Sequence, residues 1–236
     1  MASRINSSPV PRGRDLRGQV VVVIGGSSGI GLETARLARA HGADMILTAR
    51  EPDRLHRAGL ELAASIAAFD ATDSGRLGRF FDALPTPIDH VLVTASGSRC
   101  APSGGFDPDA ARRDVDARLL LPLQVARNAT GKVVPGGTML FVGSTGGRRP
   151  AADLALVAAL TAALPAMIRS LALEVAPVRV NLIAAGAVGG GTAGQAGIAA
   201  LAVHLMTNTA ITGATIDIDG GQGRRMIVGQ NTPPGG

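Results

Sequence analysis

The chain has 236 residues, a length for one domain that buries roughly 70% of its unfolded surface. Hydrophobic residues make up 46% of it and aromatics 2%, with no Trp and no Tyr, so the core has to be built from Ala, Val, Leu and Ile. Lysine occurs once, at Lys132, and the net charge of +5 is therefore arginine charge; no basic stripe is interleaved with aromatics, which argues against a nucleic-acid groove.

Residues 1–17 are polar and Arg-rich with no apolar run, which predicts a flexible arm and no secretory signal. A single domain is expected over 18–223, and a polar tail over 224–236. The domain opens on Val20 to Gly31, V-V-V-V-I-G-G-S-S-G-I-G. Five β-branched residues read as a strand buried on both faces, and the amphipathic segment Leu32 to His41 reads as a helix. Between them Gly25 permits a sharp turn, Gly29 lets backbone approach a ligand, and Gly31 lets the helix pack against the strand. The N–H groups around Ser27, Ser28 and Ile30, at the helix start, face where a pyrophosphate is favoured.

The glycines at 25, 29 and 31 give G-x-x-x-G-x-G, a spacing unlike the commonest dinucleotide fingerprint. It resembles the turn of the short-chain dehydrogenase/reductase family. That resemblance implies a Rossmann-type α/β fold, with a doubly wound, mainly parallel seven-stranded sheet and helices on both faces. It also implies a nicotinamide dinucleotide across the switch point and a small-molecule carbonyl or alcohol substrate.

After Gly42 ends the first helix, Asp44 to Thr48 reads as a strand with Arg50 at its end. An acid about 20 residues beyond the glycine turn selects NAD, whereas an arginine accommodates a 2′-phosphate. Arg50 stands there, so NADP(H) is favoured over NAD(H), with Arg54 and Ser27 as helpers. A helix Pro52 to Leu62 and a strand Ser65 to Phe69 lead to Asp70, which resembles the family's adenine-contacting aspartate. Thr72 or Asp73 is available to cap the next helix, Gly75 to Ala83. Pro85 and Pro87 end it, and Asp89 to Thr94 is the fourth strand. Thr94-Ala95-Ser96-Gly97 lies where the family has N-N-A-G, keeping only the glycine and a backbone role at Ala95.

A small loop holds Cys100, the only cysteine, which excludes an internal disulfide and fits a reducing, cytoplasmic setting. A long helix is expected over Asp107 to Thr130. Within it Asp116 replaces the asparagine by which the family helps hold a proton-relay water. Pro135-Gly136-Gly137 reads as a turn and Thr138 to Val142 as the fifth strand. Ser144 matches the family's catalytic serine, at a strand C-terminal end where open α/β sheets bind ligands. The family's tyrosine and lysine would fall at Val157 and Thr161, and no realignment restores them. The chain has no tyrosine, and Lys132 precedes the serine. Asp116, Arg148 or a water is left to handle the proton, and Arg148 or Arg149 could neutralise an anionic substrate or stabilise an alkoxide.

The helix Ala152 to Val175 is apolar nearly all round, and the resemblance implies a homodimer or homotetramer through it. Its longest apolar stretch, Leu154 to Ile168, is 15 residues with Pro165 inside, short of a membrane span. Val178 to Ile183 is the sixth strand, resembling the family's I-R-V-N run. Ala185-Gly186-Ala187-Val188 resembles the turn beside the nicotinamide, with the Val188 backbone available to the carboxamide. Gly189 to Gly197 is glycine-rich and shorter than the family's helical lid. A helix over Ile198 to Thr207 and the strand ending Asp219-Gly220-Gly221 close the domain. His41, His56, His90 and His204 have no metal-ligand spacing, so no metal site is expected.

The expected activity is a divergent NADP(H)-dependent carbonyl reductase or alcohol dehydrogenase. A catalytically silent cofactor-binding protein or partner subunit is the alternative. A cofactor-free lyase or dehalogenase is the weakest reading, because the glycine turn and Arg50 are intact.

Overall fold

The valine run forms β1 (Val20–Ile24), and its alternation explains the architecture. Val21 and Val23 point into one apolar cluster and Val22 and Ile24 into another, all at most 1% exposed. A strand buried on both faces requires a helical layer on each side of the sheet. The computed structural model describes residues 15–85, 87–94, 107–145, 154–186 and 192–220. Its elements run β1, α1 (Gly29–Ala40), β2 (Asp44–Ala49), α2 (Pro52–Leu62), β3 (Ser65–Ala68), α3 (Ser74–Ala83), β4 (Ile88–Val93) and α4 (Pro108–Val115). After a π-helical turn at Asp116–Leu120 come α5 (Leu121–Ala129), β5 (Val133–Ser144), α6 (Ala155–Glu174), β6 (Arg179–Ala185), α7 (Thr192–Thr207) and β7 (Thr215–Ile218).

The seven strands lie in the order β3-β2-β1-β4-β5-β6-β7, all parallel. The order reverses between β1 and β4, the switch point at which a parallel sheet opens a crevice above its C-terminal edge. Helices α3, α5 and α6 pack on one face through Leu77, Phe81, Leu121, Val125, Leu164 and Ile168. Helices α1, α2 and α7 cover the other through Ala35, Leu55, Ile198, Ala202 and Leu205.

Four expectations are corrected. The first helix starts at Gly29, not Leu32, so the last two glycines lie in its first turn. The expected helix Asp107 to Thr130 is helical throughout Pro108 to Ala129 but changes type midway, because Pro122 has no N–H to donate to the Arg118 carbonyl and its ring crowds that turn. The chain there widens until the Leu121 N–H reaches the Asp116 carbonyl, five residues back. Pro135-Gly136-Gly137 is a bulge inside β5, not a turn before it: Ile88 pairs with Val133, but His90, two residues on, already pairs with Thr138.

The last correction concerns the glycine-rich segment, which becomes helical at Thr192, six residues earlier than expected. Ile198, Ala202 and Leu205 anchor one face of α7, and this packing overrides a propensity cost of about 1 kcal/mol per glycine. At its other end α7 is held by Arg179, 5% exposed, which donates to the carbonyls of Leu205 (2.7 Å), Met206 (2.8 Å) and Asn208 (2.6 Å) and to Thr138 Oγ1. Asn181 receives the Ala214 N–H at 3.0 Å and donates to the Ile211 carbonyl at 2.9 Å. The R-V-N run thus joins β6 to the closing segment.

Helix α6 has 20 residues, inside the expected Ala152 to Val175, and a mean hydropathy of 1.8, so by length and composition it could cross a membrane. Val157, Leu160, Leu164, Ile168 and Leu171 are buried along its inner face, as in the core helix of a layered domain.

Candidate functional site

The glycine turn is held from two sides. The Gly25 and Gly26 N–H groups donate to the Thr48 carbonyl at the end of β2, at 2.9 and 3.0 Å. From β4, Thr94 Oγ1 reaches the carbonyls of Ile24 and Gly25 at 3.3 and 3.2 Å. Gly25 has φ +94° and Gly29 φ +55°, conformations that side chains rarely adopt. At Gly31 the constraint is space, since a Cβ there would meet the Gly25 carbonyl oxygen and lie 2.7 Å from Thr94 Oγ1. At Gly29 a Cβ would meet nothing within 4 Å, so this turn of α1 borders open space.

That space is a cleft of about 430 Å³, lined by Gly25, Ser27, Ser28, Gly29 and Ile30 from the turn. Arg50 and Arg54 line it from the start of α2, and Asp70 from the end of β3. These sequence-expected residues come together because each follows a neighbouring parallel strand at the same edge. Arg50 and Arg54 are exposed and form no ion pair among the described residues. Gly31 is buried behind the turn and acts by close packing. Asp70 Oδ1 receives Thr72 N–H at 3.0 Å and Thr72 Oγ1–H at 2.8 Å, and Asp73 caps α3 by accepting from Arg76 N–H at 2.9 Å. The cap is therefore Asp73, and Thr72 fixes the Asp70 carboxylate.

Ser144, at the last position of β5 beside Ala185 of β6, lines a second, smaller pocket of about 30 Å³. Thr161 from α6 and Arg118 from the π-helical turn line it too, the rest of the wall being mainly apolar. Ala117 borders both cavities, so the pocket adjoins the cleft. Asp116 is partly buried at the start of the π turn and lines neither cavity. Val157 is buried but is not a wall of the Ser144 pocket. Ala95, Cys100, Arg148, Arg149 and Val188 lie outside the described residues. Among the described residues no cluster of His, Cys, Asp or Glu could hold a metal.

Sequence reasoning misses Thr94 as the clasp of the glycine turn, Gln195 as a wall of the cleft, and Arg118 as a wall of the Ser144 pocket. In the sequence Thr94 reads only as a departure from an asparagine. Gln195 is hidden by the glycines around it, and Pro122, four residues beyond Arg118, is the available signal for the widened turn.

The profile of the short chain dehydrogenase family matches residues 19–200. The chain belongs to this family. Short-chain dehydrogenase/reductase ATR9 of Stachybotrys chlorohalonatus is 29% identical over 192 residues, 72% of this chain and 74% of the relative. Short-chain dehydrogenase/reductase fsr5 of Gibberella fujikuroi is 30% identical over 191 residues, 72% of each chain. Among solved structures, BdcA in complex with NADPH superposes with a TM-score of 0.79 at 24% identity, covering 88% of this chain and 95% of that one. The family consists of oxidoreductases that use nicotinamide dinucleotides and act on small molecules. Membership and the parallel seven-stranded sheet bear out the fold read from the glycine turn.

Proposed function

We propose that this short-chain dehydrogenase binds NADP(H) in preference to NAD(H) and reduces a small carbonyl compound or oxidises the corresponding alcohol. The observation that carries the reading is the cleft, where the α1 N-terminus, two arginines and Asp70 share one cavity at the switch point. Its residues fit a dinucleotide. The N–H groups at Ser28 to Ile30 suit the pyrophosphate, Asp70 the adenine end, and Arg50 with Arg54 and Ser27 a 2′-phosphate. NADPH complexed with the structural relative BdcA supports the choice. Ala95 and Val188 complete the proposed contacts by their backbones.

When bound, the nicotinamide supplies the hydride chemistry. Ser144 donates a hydrogen bond to the substrate oxygen. Of the proposed proton sources, Asp116 lines neither cavity and Arg148 stands on sequence position alone. Water from the cleft that adjoins the Ser144 pocket at Ala117 is therefore favoured. Self-association through α6 is supported by its outer face, where Ala155, Ala159, Ala162, Ala166 and Leu173 are exposed, Leu173 by 82%. The single cysteine supports a cytoplasmic, reducing setting.

One observation favours a silent cofactor-binding protein as the second reading. The chain has no tyrosine, and Lys132 sits before β5, at the end opposite Ser144, with its Nζ 3.7 Å from Asp82. NADPH consumption across a panel of aldehydes and ketones separates the two. The oxidoreductase reading expects turnover with at least one substrate, and Ser144→Ala to lower kcat about 10- to 1,000-fold with NADPH affinity retained. No turnover across the panel, with NADPH tightly bound, would leave the silent protein.

A further inference from the structure

The Ser144 pocket combines a hydroxyl at a strand end, a second hydroxyl at Thr161 and a guanidinium at Arg118. Arg118 is the one cationic side chain that lines it among the described residues. The side chains of Arg118 and Asp114 are 15% and 10% exposed, and Nε of Arg118 lies 3.5 Å from Oδ1 of Asp114, one helical turn back. A guanidinium carries five N–H donors in a rigid fork that spans more than one acceptor, and the charge of the nearby Asp114 carboxylate draws it toward the pocket side of the turn. In so dry a setting a positive charge acts strongly on any negative oxygen nearby.

Two features of the chain create this arrangement. Pro122 widens the helix into the π turn that carries Arg118, and Pro122 is itself a pocket wall. The short Thr161 side chain, 7% exposed on the inner face of α6, leaves the pocket volume open. The volume suits a group of one to three heavy atoms, such as a carbonyl oxygen with its carbon or a small carboxylate.

We propose that Arg118 and Ser144 form an oxyanion subsite, with Asp114 positioning the guanidinium, that holds the substrate oxygen as it becomes negative and also accepts a small carboxylate. Its catalytic meaning rests on the oxidoreductase reading, whereas anion binding at the subsite does not. The charge at Arg118 offsets the charge that reduction of a carbonyl places on oxygen, and Ser144 orients that oxygen. The proton that completes the alcohol comes from water in the adjoining cleft, and the hydroxide so formed takes up a proton from solvent.

Formate is a probe of the right size. Saturation-transfer NMR titrations of the full chain with sodium formate, at constant ionic strength and with or without NADP, measure the subsite directly. Saturable binding is expected, with Arg118→Gln weakening it about 10- to 100-fold and Ser144→Ala weakening it to a lesser degree. Arg118→Lys should recover part of the lost affinity, and each variant's melting temperature reports its fold. Should Arg118→Gln not fold, Arg118→Lys and Ser144→Ala decide, since both must change the formate affinity. Absence of saturable formate binding, or equal affinity in the wild type and the folded variants, would overturn the subsite. Formate binding by a chain that takes up no dinucleotide would keep the subsite and remove the oxidoreductase reading.

Discussion

The cleft above β1, β2 and β3 and the pocket at Ser144 lie on the same C-terminal edge of one sheet and share Ala117 as a wall, yet they are built differently. The cleft is about 430 Å³ and is made by backbone, with a glycine turn clasped by Thr48 and Thr94 and with charged residues at its rim. The pocket is about 30 Å³ and is made by side chains from β5, α6 and a widened helical turn. A backbone site tolerates few substitutions, since each glycine answers a conformational or spatial demand. A side-chain site can exchange its chemical groups while the strands beneath stay in register. The backbone-made cleft and the side-chain-made pocket can therefore vary independently of one another.

The largest expected effect breaks the cleft alone. Gly31→Ala puts a Cβ against the Gly25 carbonyl and Thr94 Oγ1, and the Gly25 carbonyl, being backbone, cannot retreat without disturbing the turn after β1. About 1–3 kcal/mol of stability should be lost and NADPH affinity should fall more than about 100-fold, as read by chemical denaturation and calorimetry. Formate binding at the Ser144 pocket should fall far less in the folded variant. Equal losses at both sites would mean that they are one unit.

The smallest effect is a control away from both sites. Arg36 bridges α1 and α2, donating to Glu61 at 2.6 and 2.9 Å and to Glu33 at 2.6 Å. The hydrogen bond from Arg36 holds the Glu61 carboxyl below its usual value of 4.5. A lowered carboxylate pKa gives stability that is present above 4.5 and is lost as the pH falls through the lowered value. The pair is largely exposed, so Glu61→Gln should cost less than about 1 kcal/mol at pH 7, with no cost once the pH is below that value. Nucleotide and formate affinities should not change.

The sheet is legible in the sequence because its strands announce themselves. β1, β2 and β6 are short β-branched or apolar runs, and the glycine spacing identifies the turn and helix that come after β1. The cleft is legible for the same reason: Arg50 and Asp70 come directly after strands whose ends can be located to within a residue or two. The Ser144 pocket is legible only at Ser144. Arg118 depends on how Pro122 reshapes a turn, and Gln195 depends on α7 forming through glycines because its far side is buried. Such features are set by packing between distant segments, which local patterns do not encode.

Calorimetric titration of the wild type and Arg50→Ala with NADPH, NADH, NADP and NAD tests the central claim most directly. The account predicts that the wild type binds NADPH at least about ten-fold more tightly than NADH, and that Arg50→Ala removes most of that preference by weakening NADPH alone. Equal affinity for NADPH and NADH in the wild type, or no binding of any of the four, would contradict it.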